Sequence, residues 1–411
     1  MTSLERWQDR KFGVIIHWGA YSRLGVFESW TLCQEDEPWC AAPEEWRDDP
    51  AGYRAFYEDL PSGFTAESFD PKVWAAACAG AGMRYVIFTT KHHDGFAMYD
   101  TGLSSYKVTE TPLGRDVARE VFDAFRAEGL SAGAYFSKPD WHHPDYWAPG
   151  LPTPDRYANH ADPVRWERFK QFTHGQIEEL LTGYGPIDVL WLDGGWVRPP
   201  REDLDLPALA ARARELQPGI LVVDRDVHGP QEAYRTPEQH IPGELLPYPW
   251  ESCVTLGPYW YTFGPGEPYK SVGEVVHLLC RVVARGGNLL LGLGPDHTGA
   301  LPAEVLDRLA GIGEWMSVNG EALYGTRPAV PREAGSLLFT RRGDTTYAIG
   351  LLEPGEPLPA RIELPASDVP ASVRLLGGDL LPWKLTDGTL AIDLPPGKAA
   401  AHAFAVEVIG T

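Results

Sequence analysis

Asp193 closes the apolar run Ile187-Asp188-Val189-Leu190-Trp191-Leu192, and Gly194, Gly195 and Trp196 follow it at once. A run of this kind reads as a buried strand. A strand interior does not readily hold an unpaired carboxylate, because desolvating a charge is costly. Asp193 is therefore expected where the strand emerges, at the C-terminal mouth of a sheet or barrel, where (β/α) enzymes keep their chemistry. Trp191 and Trp196 flank it with flat apolar faces that suit a sugar ring or a methyl group. The bland alternative is a strand-end aspartate capping the next helix.

Other strand ends carry an unusual share of polar and aromatic groups. His17 follows the first strand, Lys91-His92-His93-Asp94 the second, and Asp140-Trp141-His142-His143 lies beyond the third, which contains Tyr135. Asp224-Arg225-Asp226 follows the fifth, and Trp250-Glu251 lies further on. Converging on one mouth, these would form a polar pocket with aromatic walls. Each has a plainer reading. His17 is also compatible with a satisfied core histidine. By simple alternation only one of His92 and His93 faces the pocket. Asp94 can cap a turn before Gly95, and Arg225 can pair structurally with Asp224 or Asp226. The glycine clusters at 286–288 and 292–295 lack both the glycine-lysine ending and the GxGxxG spacing of phosphate loops, so they read as tight turns.

Positioning these groups requires the elements between them. Strand-like and helix-like segments alternate to about residue 320. Helices are expected at 71–82, 116–129, 163–184, 206–217, 272–284 and 301–318. Strands are expected at 12–17, 84–90, 130–137, 187–193, 220–224 and 288–291, with two more read poorly near 250–263. This α/β alternation fits a (β/α)₈-like catalytic barrel over residues 1–328. Beyond it, short strand-like pieces separated by Gly, Pro and Asp clusters predict a small antiparallel β-sandwich at 329–411.

Bulk properties narrow the partners. A net charge of −21 argues against nucleic acid and anionic membrane surfaces, which call for a basic face. No apolar stretch approaches a membrane span, and residues 1–12 do not resemble a signal peptide, so a cytoplasmic location is expected. The five cysteines match no zinc module. Cys33 and Cys40 could pair in an oxidising compartment, but free thiols are expected. Fifteen tryptophans and seventeen tyrosines suit a carbohydrate-binding protein and equally a large core.

Several blocks together resemble the α-L-fucosidases of glycoside hydrolase family 29: FGVIIHWGAYS (12–22), YVIFTTKHHDGFAMYDT (85–101), GAYFSKPDWHHPDY (133–146), DVLWLDGGW (188–196), PWESC (249–253), GGNLLLGLGPDHTG (286–299) and WMSVNGEALYGT (315–326). The resemblance implies a barrel followed by a β-sandwich, and a retaining exo-α-L-fucosidase acting on fucosylated glycans. Asp193 matches the family's nucleophile. Glu251, directly after Trp250, resembles its Trp-Glu pair and is chosen as acid/base, with Glu238 second and Glu28 third. His17, His92 and His93 match residues that bind the fucose hydroxyls, Tyr135 and Trp191 line the sugar site, Arg225 lies near the nucleophile, and Trp196 walls the C5 methyl. Trp30 aligns, but this chain has Glu28-Ser29-Trp30 where many members have Ser-Glu-Trp, so the glutamate is displaced by one place. The acidic insert 34–46 matches nothing in the family.

The resemblance implies no metal or cofactor. A metal-dependent barrel hydrolase would instead use His17, His92 and Asp193 as ligands. A third reading is an inactive sugar-binding protein that kept the pocket.

Overall fold

The computed structural model describes residues 1–33, 40–147, 159–264, 266–366, 368–395 and 401–410. The first six residues of the acidic insert, 34–39, lie outside them.

Helix α1 (Ser3–Arg10) leads into β1 (Phe12–Ile16). The series continues through α2 (Pro50–Glu58), α3 (Pro71–Gly80), β2 (Tyr85–Lys91), α4 (Val117–Ala127), β3 (Ser131–Ser137), α5 (Pro163–Gly183) and β4 (Val189–Asp193). It closes with α6 (Leu206–Leu216), β5 (Leu221–Asp224), β6 (Glu251–Thr255), α7 (Val272–Ala284), β7 (Asn288–Leu293) and α8 (Ala303–Asn319). The predicted helices start where a cap permits. Asp70, Asp116 and Asp162 each accept hydrogen bonds from first-turn N–H groups, and Ser271 and Glu274 form a capping box.

The seven strands form one parallel sheet in the order β5-β4-β3-β2-β1-β7-β6. Eight strands are expected from the sequence, and seven are regular. Between β5 and β6 runs an irregular segment, residues 233–239. The Ala233 N–H donates to Val222 O at 2.8 Å on one side. On the other, Glu251 N–H donates to Arg235 O (2.8 Å), Cys253 N–H to Pro237 O (3.2 Å), and Gln239 N–H to Cys253 O (2.9 Å). The sheet is thus curled, its two outer strands linked through this segment.

Both faces of the sheet are covered, as parallel strands require. One face packs on the helices through Phe12, Val14, Ile16, Val86, Phe88, Leu190 and Leu192. The inward face carries Ile15, Tyr85, Ile87, Tyr135, Val189, Trp191, Val223, Cys253 and Leu290. Strand alternation then dictates what stands at the mouth: His17 two residues after Ile15, Asp193 two after Trp191, Arg225 two after Val223.

After α8, β8 (Arg327–Ala334), β9 (Leu337–Arg342), β10 (Thr345–Leu351), β11 (Arg361–Pro365), β12 (Ser372–Leu375), β13 (Trp383–Thr386), β14 (Thr389–Asp393) and β15 (Ala403–Ile409) form two antiparallel sheets, ordered β12-β15-β10-β9-β8 and β11-β14-β13. Phe339, Ala348, Val373, Phe404 and Val406 of one meet Ile362, Leu364, Leu390 and Ile392 of the other in a shared core. The sequence reading missed β8, which contains Pro328 and Pro331. Its place at the sheet edge explains how those prolines are tolerated. No helix among the described residues is long and apolar enough to cross a membrane. All five cysteines are buried, and none is joined in a disulfide.

Candidate active site

A cavity of about 630 Å³ opens at the C-terminal ends of the parallel strands. Eight of the ten residues nominated from sequence line it: His17, Trp30, His92, Tyr135, Trp191, Asp193, Trp196 and Arg225. His93 stands just behind, with Nε2 3.8 Å from Asp193 Oδ2 and its ring 5.0 Å from Trp30. Strict alternation does not separate the two histidines, because β2 has already ended at Lys91. Their rings lie 4.3 Å apart.

Asp193 is held from several sides. The Tyr135 hydroxyl donates to Oδ2 at 2.6 Å, the Gly194 N–H to Oδ1 at 2.8 Å, and Arg225 Nη1 to Oδ1 at 3.2 Å. Burial pushes the carboxyl up, but Arg225, His93, Tyr135 and Gly194 outweigh it and hold Asp193 well below the usual carboxylate range. It is an ionised, desolvated carboxylate, the form a nucleophile needs. Arg225 also contacts Glu238, so one guanidinium joins two cavity carboxylates. Asp224 instead pairs with Lys138 at 2.6 Å, and Asp226 lies 3.7 Å from Arg225 Nε.

The histidines are neutral. Burial lowers His17 to about 3 and His93 to about 4, against the opposing pull of Asp193, and it lowers His92 as well. A neutral imidazole offers one donor and one acceptor, which suits sugar hydroxyls. Ser29 Oγ lies 2.5 Å from His92 Nδ1 and fixes that ring. The ring of Tyr135 is stacked on Trp191 at 5.3 Å, making a flat wall. Deeper support comes from the KHHDGF block: Lys91 forms a buried ion pair with Asp140 at 3.0 Å, and Asp94 accepts from the Tyr57 hydroxyl.

Glu251 is not part of this cavity, which corrects the expectation drawn from the Trp-Glu pair. It is the first residue of β6, on the same face as Thr255, which does line the cavity. They stand four residue steps apart along the strand, roughly 13 Å at 3.3 Å per residue. Glu251 is fully buried at the opposite end of the sheet, accepting from the Tyr85 hydroxyl at 2.6 Å and the Trp191 indole at 3.3 Å. Gly13 makes room for this arrangement, since a Cβ there would lie 2.4 Å from the Tyr85 ring. Burial raises Glu251 to about 7, yet it cannot reach a substrate in the cavity.

The second and third candidates do line the cavity. Glu238 is presented by the irregular segment 233–239. Glu28 adopts a left-handed backbone, φ 35°, uncommon for a non-glycine residue. Its Oε1 is buried without a hydrogen-bond partner, and burial raises its carboxyl to about 8. The displaced glutamate thus still reaches the site, while Ser29 takes up His92.

Sequence reasoning missed Phe27, Arg198, Gln239, Tyr259 and Trp260, which also line the cavity, as does Asp226 of the strand-end group Asp224-Arg225-Asp226. The aromatic run Tyr259-Trp260-Tyr261 after β6 was the available signal. Among the described residues, no group of three His, Cys, Asp or Glu side chains is arranged to hold a metal ion.

A family model described as alpha-L-fucosidase matches residues 1–321. The plasma alpha-L-fucosidase of Rattus norvegicus is 31% identical over 338 residues, covering 79% of this chain and 71% of the rat protein. The human tissue alpha-L-fucosidase is 28% identical over 425 residues, covering 98% and 88%. Among solved structures, alpha-L-fucosidase isoenzyme 1 from Paenibacillus thiaminolyticus superposes with a TM-score of 0.85 at 32% identity, covering 100% of this chain and 99% of that one. The Thermotoga maritima alpha-fucosidase in complex with a mechanism-based inhibitor gives 0.79 at 29% identity, covering 99% and 97%.

Proposed function

The chain belongs to the α-L-fucosidase family and is a glycoside hydrolase, and from that premise we propose that it is a retaining exo-α-L-fucosidase that removes terminal α-L-fucosyl residues from glycans. The observation that carries the reading is Asp193: ionised, buried at the strand mouth, and bonded to the same guanidinium as a second carboxylate, Glu238. A guanidinium bridging two carboxylates keeps them a few ångströms apart, the order of separation of about 5–5.5 Å that a retaining pair uses.

In the first half-reaction an Asp193 oxygen attacks the anomeric carbon, the glycosidic C–O bond breaks, and the departing oxygen takes a proton from Glu238. In the second, Glu238 takes a proton from water, the hydroxyl bonds to the anomeric carbon, and Asp193 leaves as carboxylate. His17, His92, His93 and Trp30 position the sugar, and Trp191, Tyr135 and Trp196 wall it. The barrel, residues 1–328, supplies all these groups in this proposal, and the antiparallel sheets of 329–411 form a separate sandwich.

A specific observation favours one variation. Glu28 is neutral near pH 7, the form a general acid must have, whereas Glu238 is engaged by the Arg225 guanidinium. The Glu238 assignment therefore requires its Arg225 contact to open as the leaving group enters. Glu238 remains the first choice because it shares a partner with the nucleophile.

Trapping tests the covalent step. Incubation with 2-deoxy-2-fluoro-fucosyl fluoride should add one fluorofucosyl unit to the intact mass, and peptide mapping should place it on Asp193. Asp193→Gly should lose turnover by a factor on the order of 10³ or more, with partial rescue by azide. An unlabelled wild-type protein that still turns over, or near-normal activity of Asp193→Gly, would remove the assignment.

A further inference from the structure

The cavity, at about 630 Å³, is larger than one six-carbon sugar needs and falls in the range of pockets for larger ligands, about 300–1,000 Å³. The additional wall comes from the loop after β6 and the loop after β1. There Tyr259 lies parallel to Phe263, centroids 3.8 Å apart and planes 7° apart. Phe27 meets Tyr259 edge-on at 4.8 Å and stands 6.2 Å from Phe263. These three distances describe a nearly right-angled triangle with Tyr259 at the corner. Phe27 therefore sits beside the stack, not over it. Phe263 backs one face of Tyr259, and among the described residues no other aromatic ring covers the second face. Tyr259 is half-buried and lines the cavity.

The order of elements around the mouth fixes where this ring stands. After β4 comes Arg198, after β5 Asp226, then Glu238 and Gln239 on the irregular segment, Tyr259 and Trp260 after β6, and Glu28 after β1. Tyr259 thus lies between the two glutamates that could protonate a leaving oxygen. Whichever of them acts, the departing group lies against this stretch of wall. On the far side of Glu238 the wall turns polar. Arg198 has one hydrogen bond there, to the Asp226 carbonyl at 3.3 Å, and among the described residues no carboxylate lies within ion-pair distance of it.

We infer that Tyr259, backed by Phe263 and braced by Phe27, is the platform of a leaving-group subsite that takes a hexopyranosyl residue, with the sugar's C–H face on the ring and its hydroxyls toward Arg198 and Gln239. The inference rests on the fucosidase reading. The chemistry is general: a pyranose has one face of C–H bonds that packs on an aromatic ring, while its hydroxyls seek polar partners. A rigid ring held on one side by a stack is ordered before the ligand arrives, which lowers the entropic cost of binding.

The test compares two substrates that share the fucosyl group. Alpha-L-fucosyl fluoride has a leaving group with no ring, and a fucosyl-α-galactose disaccharide has a pyranose. In Tyr259→Ala the ratio of kcat/KM for the disaccharide over that for the fluoride should fall about tenfold, corresponding to about 1.4 kcal/mol, and Tyr259→Phe should keep the ratio within twofold of wild type. Equal losses on both substrates in Tyr259→Ala, or a ratio lost in Tyr259→Phe as well, would overturn the platform while leaving the fucosidase reading intact. A wild-type protein inert toward fucosyl fluoride would overturn that reading, and this inference with it.

Discussion

Trp191 donates its indole N–H to Glu251 Oε1 across 3.3 Å, tying a wall of the candidate sugar site to the opposite end of the curled sheet. Trp191 in turn stacks on Tyr135, whose hydroxyl is bonded to Asp193. Two residues, Trp191 and Tyr135, thus link Glu251 to the proposed nucleophile.

Glu251→Gln should keep near-normal activity, since the amide oxygen can still accept from the Trp191 indole while the amide N–H donates to the Tyr85 hydroxyl oxygen, which can turn its own hydrogen away. Glu251→Ala strands two buried donors, at about 1–3 kcal/mol each, and should melt several degrees lower. Burial raises the carboxyl from its ordinary 4.5 to about 7. The native state therefore keeps a proton that the unfolded chain gives up between those values, so this group's stabilisation is complete below about pH 4.5 and declines as pH climbs to about 7. Glutamine does not titrate. The Tm of Glu251→Gln relative to wild type should rise from pH 4.5 to 7.5, and a difference independent of pH would refute the buried-acid account.

Strand alternation made much of the site legible. His17, Asp193 and Arg225 each follow an inward-facing apolar residue by two places, so once the strand was found its terminal polar group was placed. Glu251 failed for the converse reason. The Trp-Glu pair is visible in sequence, but whether a strand begins or ends there depends on its boundaries, and this region had no clean period. The irregular segment 233–239 pairs with β6 yet carries Pro237 and no alternation, so Glu238 had no strand to be assigned to. Tyr259 belongs to a loop, where periodicity says nothing about direction. In the C-terminal sheets, prolines hid β8, although an edge strand accommodates them.

Arg225 should govern the acidic side of the pH profile. In the proposed mechanism Asp193 must be ionised to attack; burial alone would raise its pKa, and the neighbouring Arg225 guanidinium is the largest of the groups that outweigh it. Removing the charge in Arg225→Leu should move the acid limb of kcat/KM on 4-nitrophenyl α-L-fucoside to higher pH, while Arg225→Lys should move it less. An acid limb that stays in place in the leucine variant would show that Asp193 does not depend on this cation.

The acid/base role separates Glu238 from Glu28 through the leaving group. A nitrophenolate departs with little protonation, whereas a sugar alkoxide needs a proton in the transition state. Glu238→Ala should therefore lose far more activity on a fucosylated oligosaccharide than on 4-nitrophenyl α-L-fucoside, by a factor on the order of 10² to 10⁴. Hydrolysis of the fucosyl-enzyme should slow too, because the same residue activates water, and azide should relieve that step by attacking without a base. The basic limb of the pH profile should flatten in the same variant. Glu28→Ala should lower both substrates together, as expected for a cavity wall residue. If instead Glu28→Ala shows the leaving-group dependence and azide relief while Glu238→Ala does not, the proton comes from the carboxyl that burial already keeps neutral. Glu238 would then serve through Arg225, sharing with Asp193 the charge that holds the nucleophile ionised.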